Sequence, residues 1–260
     1  MKRKWLIMAV AWLLAASPLH AEQAPDALPQ VSVLADGSLT LPLSLIVRQY
    51  AKQNNGTVEL AFVDDQAKTN LLAEGAGADV LITMRTAWLE QLQQQGLIDV
   101  HSETPVANNT LVLAGPEKAV LTGDMARGLP VAHMLMRMGP EPAFGVPHPE
   151  NLPEGSYARA ALRHLDREGD MEPYTLYVKQ RPQLVSLVKN QNAFAVMLAT
   201  EALQQNLQPV WPLPASAYPP IHYRAVVLAG DNMKEARRFI EYLSSHDARA
   251  VFVQFGFGTR

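Results

Sequence analysis

Short apolar runs alternate with amphipathic helical patterns along residues 31–255, and this alternation constrains the fold more than any other feature. The runs at 31–34 and 78–82 are each followed by apolar residues at spacings of three and four, which place them on one helix face. Strands that alternate with helices in this way are typical of βα units, whose strands form mostly parallel sheets. The sequence therefore predicts an α/β protein.

The strand prediction rests on apolar runs of four to six residues that are bounded by turn residues. The predicted strands are 31–34, 57–62, 78–82, 110–114, 143–146, 194–198 and 223–228. The proline-rich stretch 209–220 is interpreted as a connector, because proline cannot donate a hydrogen bond to a sheet.

Helices are predicted between these strands from the spacing of their apolar residues. Ser38, Ser156 and Ser245 are interpreted as N-caps, and Gly96 as a helix stop. Nine helices are predicted. They are a helix that begins after residue 38, a short helix through Leu71 and Leu72, one through Trp88 to Leu92, one in part of 121–139, and helices at 157–168, from 182, and at 200–205, 233–244 and 247–255.

Residues 1–21 have the pattern of a secretory signal peptide. Lys2, Arg3 and Lys4 precede an apolar run over 5–16, and a small residue, Ala21, follows the helix breakers. The run is too short for a stable membrane span, although an uncleaved anchor is the alternative. We expect cleavage after Ala21, which removes three basic residues and changes the net charge from −3 to −6.

Composition excludes several classes of function. The chain has no cysteine, which excludes disulfides, thiolate metal sites and a cysteine nucleophile, and its negative net charge gives no basic surface for nucleic acid. The nucleophile, phosphate-loop and dinucleotide motifs of common enzymes do not occur in the sequence. Met134, Met136 and Met138 could bind Cu(I), but in a helix they fill core gaps instead. We predict no enzyme, no cofactor and no metal.

Six segments in order resemble the periplasmic molybdate-binding proteins of ABC transporters. Taken singly each segment is short, but together they extend from about Val31 to Phe257. The segments are ADGSLT at 35–40, AEGAGADV at 73–80, WL at 88–89 with GLI at 96–98, PHPENLPEGSYA at 147–158, PPI at 219–221 with Tyr223 and AVV at 225–227, and Phe252 with FGF at 255–257.

The resemblance implies a type II periplasmic-binding fold, in which two α/β lobes are joined by two crossing strands and hold a ligand between them. It implies lobe 1 at 24–107 plus 222–260 and lobe 2 at 108–221, with crossings near 110–114 and 223–228. It also implies a small-molecule or oxyanion ligand, an inner-membrane ABC permease as partner, and a periplasmic location. Helix N-termini that face such a cleft bind anions through unpaired amides.

The resemblance also implies which positions contact the ligand. The family binds its oxyanion with hydroxyls and backbone amides, and here Ser38 retains a hydroxyl while acidic or apolar residues occupy other positions. The implied positions are Gly37, Ser38, Asp64, Asp65, Glu154, Gln180 and Leu198.

Three carboxylates at these positions oppose an oxyanion ligand. A carboxylate 4 Å from a bound anion costs about 4 kcal/mol at an effective dielectric constant near 20, which is about a thousandfold in affinity. Asp64 or Asp65 could instead N-cap the next helix. Arg85 and Arg224 could pair with these carboxylates or bind a carboxylate ligand, or they could lie in solvated surface pairs.

Two functions follow from the sequence. The first is a solute-binding component of an ABC importer, whose ligand need not be molybdate; an acidic cleft with one arginine suits an amino acid, an amine or a metal chelate. The second is a periplasmic partner-binding or sensory protein on the same fold without a tight oxyanion ligand.

Overall fold

The described part of the chain forms two five-stranded sheets with helices packed against them. The computed structural model describes residues 30–54, 56–63, 77–116, 144–165, 169 and 171–259. Several predictions therefore lie outside the described residues: the signal peptide at 1–21, the positions of Asp64 and Asp65, the helix through Leu71 and Leu72, and the stretch 121–139 with its methionines.

The first sheet has the strand order β2-β1-β3-β10-β4. β1 pairs in parallel with β2 and β3, whereas β10 is antiparallel to both β3 and β4, so four strands point one way. The strands are β1 (Gln30–Asp36), β2 (Thr57–Val63), β3 (Val80–Thr83), β4 (Ile98–Asn109) and β10 (Ile221–Leu228).

The second sheet repeats this plan with the order β7-β6-β8-β5-β9. β6 pairs in parallel with β7 and β8, and β5 is antiparallel to β8 and β9. The predicted α/β architecture with two sheets flanked by helices is confirmed, and each sheet is mixed, with two parallel and two antiparallel pairs of strands. The strands are β5 (Leu111–Gly115), β6 (Phe144–Pro147), β7 (Thr175–Val178), β8 (Phe194–Leu198) and β9 (Gln208–Pro212).

Helices follow the strands as the apolar spacing predicts, and they cover the sheets with buried leucine, valine and aromatic side chains. Gly96 follows the second helix with a φ of +68°, which confirms it as a helix stop. The helices are α1 (Thr40–Asn54), α2 (Thr86–Gln94), α3 (Gly155–Leu165), α4 (Arg181–Asn190), α5 (Ala199–Gln204), α6 (Met233–Leu243) and α7 (His246–Gln254).

Two of the three predicted N-caps were wrong. Ser245 caps α7, because its side chain accepts a hydrogen bond from the Ala248 amide. Ser38 instead lies inside a 3-10 turn, Gly37–Leu39, that precedes α1. Ser156 lies inside α3, where its hydroxyl donates to the carbonyl of Pro153. Both of these helices begin from a turn that the sequence pattern does not resolve.

Strands β4, β7 and β9 were missed by the sequence reading, and all three lie at sheet edges. Edge strands are partly solvated, so they lack continuous apolar runs and tolerate proline. β4 contains Pro105, and β9 contains Pro209 and Pro212. The interpretation of 209–220 as a connector is therefore wrong for its first four residues, which pair with β5.

Within the described residues, the chain passes between the sheets twice. It leaves β4 and enters β5 through Thr110, and it returns from β9 to β10 through residues 213–220. The strands predicted as crossings, 110–114 and 223–228, therefore lie each within one sheet. A sequence pattern shows that a segment is extended, but it does not show where its hydrogen-bonding partner changes.

Candidate functional site

The two sheets approach each other where their strands end. Asp36 ends β1, Thr83 ends β3 and Leu198 ends β8, and hydrogen bonds near these residues join parts of the chain that belong to different sheets. In open α/β sheets, ligands bind beyond the carboxyl ends of the parallel strands. The polar groups at these strand ends are therefore the candidate ligand contacts.

Asp36 is a buried carboxylate at the end of β1. One of its oxygens accepts a 3.0 Å hydrogen bond from the Thr83 hydroxyl, and the other accepts a 2.7 Å bond from the Met84 amide. Both donors are neutral, and they lie at the end of β3, the parallel neighbour of β1: Thr83 is its last residue and Met84 follows it. Both oxygens of the carboxylate are therefore bonded to the neighbouring strand end.

Glu154 is a second buried carboxylate, and it faces a guanidinium. The Arg181 Nε and Nη2 atoms donate to its two oxygens at 2.9 and 2.7 Å, a bidentate pair. The glutamate side chain is 0% exposed and the arginine 11% exposed. Glu154 precedes α3 and Arg181 begins α4, and the parallel pairing of β6 with β7 brings these two helix starts together.

A tight turn between β6 and α3 holds Glu154 in place. The amides of Asn151 and Leu152 donate to the carbonyl of His148, and the Gly155 amide donates to Leu152. A Cβ on Gly155 would lie 2.5 Å from the backbone carbonyl of His148, so this position needs glycine. The turn thereby fixes the backbone beside the carboxylate.

A chain of hydroxyl and amide groups runs from the first sheet toward α5. The Ser38 and Tyr223 hydroxyls share a 2.8 Å hydrogen bond, and the Asn109 amide donates to Tyr223 at 3.4 Å and to the Thr200 hydroxyl at 2.8 Å. The phenol oxygen therefore accepts from Asn109, and its hydroxyl group shares a proton with Ser38 in a bond that either hydroxyl can donate. Asn109 ends β4, so the chain passes through the point where the polypeptide crosses between the sheets.

Charges from both sheets act on the Tyr223 hydroxyl. Burial raises its pKa far above the ordinary value, and the hydrogen bonds with Ser38 and Asn109 partly oppose that effect. Asp36 raises the pKa further and Arg181 lowers it. The Asp36 carboxylate, the Arg181 guanidinium and the Ser38–Tyr223 pair therefore share one electrostatic environment.

Tyr157 joins the two halves directly. Its hydroxyl donates a buried 2.7 Å hydrogen bond to the carbonyl of Met84, from α3 to the segment after β3. Burial raises the pKa of Tyr157, and the Asp36 carboxylate raises it further. The phenol therefore stays protonated and donates at neutral pH.

The predicted site positions fall into different environments. Gly37 and Ser38 lie in the turn after β1, and Ser38 reaches Tyr223. Gln180 is exposed beside Arg181, at the start of α4. Leu198 is fully buried and ends β8, so it offers no polar side chain, whereas Thr200 two residues later offers a buried hydroxyl. Asp64 and Asp65 lie outside the described residues.

Neither arginine that the sequence singled out pairs with Glu154. Arg224 pairs with Glu103 on the neighbouring strand β4, and both side chains are partly exposed. Arg85 lies over the Trp88 ring, 4.6 Å from its centroid, and lines a cavity of about 460 Å³ that also contacts Tyr157 and Pro219. The sequence could not choose among the arginines because the choice depends on strand order.

Sequence reasoning missed Asp36 and Arg181. Each carried a signal: Asp36 directly follows an apolar strand, within ADGSLT, and Arg181 stands at a helix start, where the helix dipole disfavours a cation. A charge that opposes its local environment indicates a partner elsewhere in the fold. In both cases the partner is now identified.

Two general properties of the described residues bear on function. Along this part of the chain, none of the helices has the length and apolar content needed to cross a membrane. The same residues contain no group of three or more His, Asp or Glu side chains arranged to hold a metal ion.

Comparison with known proteins identifies the family. The chain is 28% identical over 235 residues to the molybdate-binding protein ModA of Haemophilus influenzae, covering 89% of this chain and 91% of that protein. It is 25% identical over 263 residues to ModA of Escherichia coli, covering 99% of each. The substrate-binding domain of a putative molybdenum ABC transporter from Clostridium difficile has a TM-score of 0.72 at 18% identity, covering 89% of this chain and 99% of that structure, and it shares the fold. The family model described as bacterial extracellular solute-binding protein matches residues 31–258, and the chain belongs to this family.

Proposed function

We propose that this chain is the solute-binding subunit of an ABC importer and binds its ligand between the two sheets. The observation that carries the proposal is the hydrogen-bonded series of Ser38, Tyr223, Asn109 and Thr200 between the two sheets. The Glu154–Arg181 pair adds to it, because its guanidinium lowers the pKa of Tyr223. Polar groups held by rigid strand ends in this way suit a small polar ligand. Family members are solute-binding proteins, and we propose that this chain likewise has no catalytic role.

The location and the partner follow from the same proposal. We propose that residues 1–21 are a signal peptide, that the mature chain acts in the periplasm, and that it delivers its ligand to an inner-membrane permease. Lobe 1 comprises 24–107 plus 222–260, and lobe 2 comprises 108–221. The strands of the first sheet fall in lobe 1 and those of the second sheet in lobe 2, to within about two residues where the chain passes from one sheet to the other, and this supports the division. Closure of the lobes on a ligand gives a shape that the permease can recognise.

The proposed cleft predicts which variants lose ligand. Thermal unfolding of the mature chain should be followed with molybdate, tungstate, sulfate, the standard amino acids, polyamines and divalent metals. A ligand at one hundred times its Kd stabilises by about 2.7 kcal/mol, which is several degrees in Tm for a protein of this size. We expect Ser38→Ala and Thr200→Val to weaken binding of the active compound. Lys234→Ala, at an exposed site on α6, is the control and should bind as wild type does.

The second candidate is a partner-binding or sensory protein on the same fold. The internal Glu154–Arg181 pair favours it, because this pair satisfies two cleft charges without a ligand. Absence of any thermal shift across the whole panel, together with capture of a periplasmic protein that Ser38→Ala does not disturb, would support this candidate and contradict the first.

A further inference from the structure

We propose that the ligand is a zwitterion with an amino group close to a carboxylate, as in an α-amino acid, and that its two charges exchange with the internal Glu154–Arg181 pair. This inference rests on the proposed solute-binding function and names its ligand class. Arg181 would bind the ligand carboxylate and Glu154 its ammonium group. The geometry points to this class because the cleft contains both charges already matched at hydrogen-bond distance.

The Glu154–Arg181 pair lies where the two halves of the molecule meet. Glu154 and Arg181 lie at the starts of α3 and α4, within the second sheet and its helices. Arg181 nevertheless acts on Tyr223, which belongs to the first sheet. Tyr157, three residues after Glu154 at the start of α3, donates to the carbonyl of Met84 in the first half, so the start of α3 lies at the boundary between the halves.

A ligand anion must compete with Glu154 for the Arg181 guanidinium. Any anion that approaches Arg181 must displace a carboxylate that is already bound bidentately and is tethered in the same molecule. A displaced Glu154 would be a buried charge without a partner, and such a charge costs roughly several hundredfold or more in equilibrium terms. Binding of an oxyanion carries this whole cost, because an oxyanion has no cationic group that could pair with Glu154.

A zwitterion avoids the same cost. Its carboxylate has the planar two-oxygen geometry of the Glu154 carboxylate, so Arg181 keeps a bidentate partner. Its ammonium group gives Glu154 a new cation to bond. One internal ion pair becomes two pairs between protein and ligand, and neither buried charge is left alone.

Asp36 is a second buried carboxylate near the boundary between the halves. Asp36 is buried and acts on both Tyr157 and Tyr223, so its negative charge reaches the boundary from the first sheet. It repels a dianion such as molybdate and attracts an ammonium group.

Titration calorimetry on the mature full-length chain tests the proposal. The probes are the twenty standard amino acids one at a time, the deaminated acid and the amide of whichever binds, and sodium tungstate and molybdate. We expect at least one amino acid to bind, and its deaminated acid and its amide each to bind at least a hundredfold more weakly. Arg181→Met and Glu154→Gln should each weaken the amino acid by a similar factor.

Matched controls separate this role from a general loss of structure. Arg237→Met and Asp99→Asn disrupt another arginine–carboxylate pair, whose arginine is half exposed, and should leave the affinity within twofold. Glu154→Gln is nearly isosteric and removes the competing charge, so it should bind the deaminated acid more tightly than wild type does. Circular dichroism confirms that each variant is folded.

Three outcomes overturn the proposal. Tight tungstate or molybdate binding with no amino-acid binding contradicts the ligand class while the solute-binding function stands. An amino acid that binds Arg181→Met as it binds wild type contradicts the role of the pair. If no solute of any class binds, the proposed function fails together with the inference, and this outcome is distinct from the other two.

Discussion

Each half of the molecule places a buried carboxylate after or at the end of a central parallel strand, and the two carboxylates are hydrogen-bonded in different ways. Asp36 is the last residue of β1 and Glu154 lies in the turn between β6 and α3, and each of these strands is the second in its sheet order, with parallel neighbours on both sides. Asp36 accepts hydrogen bonds from a hydroxyl and a backbone amide, both neutral. Glu154 accepts two bonds from one cation.

This difference separates a structural charge from an exchangeable one. The donors to Asp36 include a backbone amide of the adjacent segment, which cannot leave without disturbing the sheet. The donor to Glu154 is the end of a long side chain, which can turn to another partner without moving the backbone, provided that the ligand supplies a new partner for Glu154. We infer that the first half fixes the electrostatic background of the cleft and that the second half responds to the ligand.

The largest effect should come from removing the cation of the second half. Arg181→Met leaves Glu154 buried without its partner, and we expect a loss of about 3–5 kcal/mol in the free energy of unfolding. Urea denaturation measures this loss. The double variant Glu154→Gln with Arg181→Met should recover most of it, because the unpaired charge is gone. A single variant as stable as wild type would show that the pair is not coupled to folding.

A smaller effect is expected in the first half. Asp36→Asn replaces one acceptor oxygen with an amide that faces a donor, and we expect a loss of about 1–3 kcal/mol by the same measurement. Asp231→Asn, in an exposed turn before α6, is the matched control and should leave stability unchanged. If Asp36→Asn costs more than Arg181→Met, the two halves have the opposite roles to those inferred here.

Ionisation of the Tyr223 hydroxyl, on which both halves act, should contribute to the loss of unfolding free energy at alkaline pH. Its folded pKa lies above the unfolded value of 10.0, so the phenol contributes stability that is complete below pH 10 and declines as pH rises further. Tyr223→Phe should remove up to about 1.4 kcal/mol per pH unit from that decline. Urea denaturation between pH 9 and 11 compares the slopes. Equal slopes in variant and wild type would mean that the hydroxyl ionises normally.

The smallest effect is expected at a charge pair outside the cleft. Arg237 lowers the pKa of Asp99 below its ordinary 3.8 through a side-chain hydrogen bond. Arg237→Met should return that pKa toward 3.8, while the urea midpoint at neutral pH stays within error of wild type. An NMR titration of the Asp99 carboxyl carbon reports the change. A marked loss of stability at neutral pH would show that surface pairs matter here as much as the buried pair does.

The strands that the sequence predicted and those that it missed differ in where they lie. β1, β3, β5, β6, β8 and β10 are interior strands with nearly continuous apolar runs, and each was predicted to within a few residues. Among the edge strands only β2 was predicted, because its alternation is clear. The local pattern reports burial on both faces well, and it reports the edge of a sheet poorly.

In the candidate site, too, the sequence identified some features and missed others. The sequence pointed to Ser38 and to Glu154, since both stand at recognisable turns before helices. It assigned no partner to either residue correctly, because Ser38 was expected to cap a helix and bonds Tyr223 instead, and Glu154 was expected near Arg85 or Arg224.

By itself the sequence determined the α/β class, the family resemblance and the positions where ligand contacts are expected, because apolar periodicity and turn residues are local properties of the chain. Only the tertiary structure decided which charges meet. Glu154 and Arg181 are 27 residues apart and pair because β6 and β7 are parallel neighbours, and Asp36 meets Thr83 across 47 residues because β1 lies beside β3. Strand order results from burial summed over the whole chain, so no local pattern specifies it.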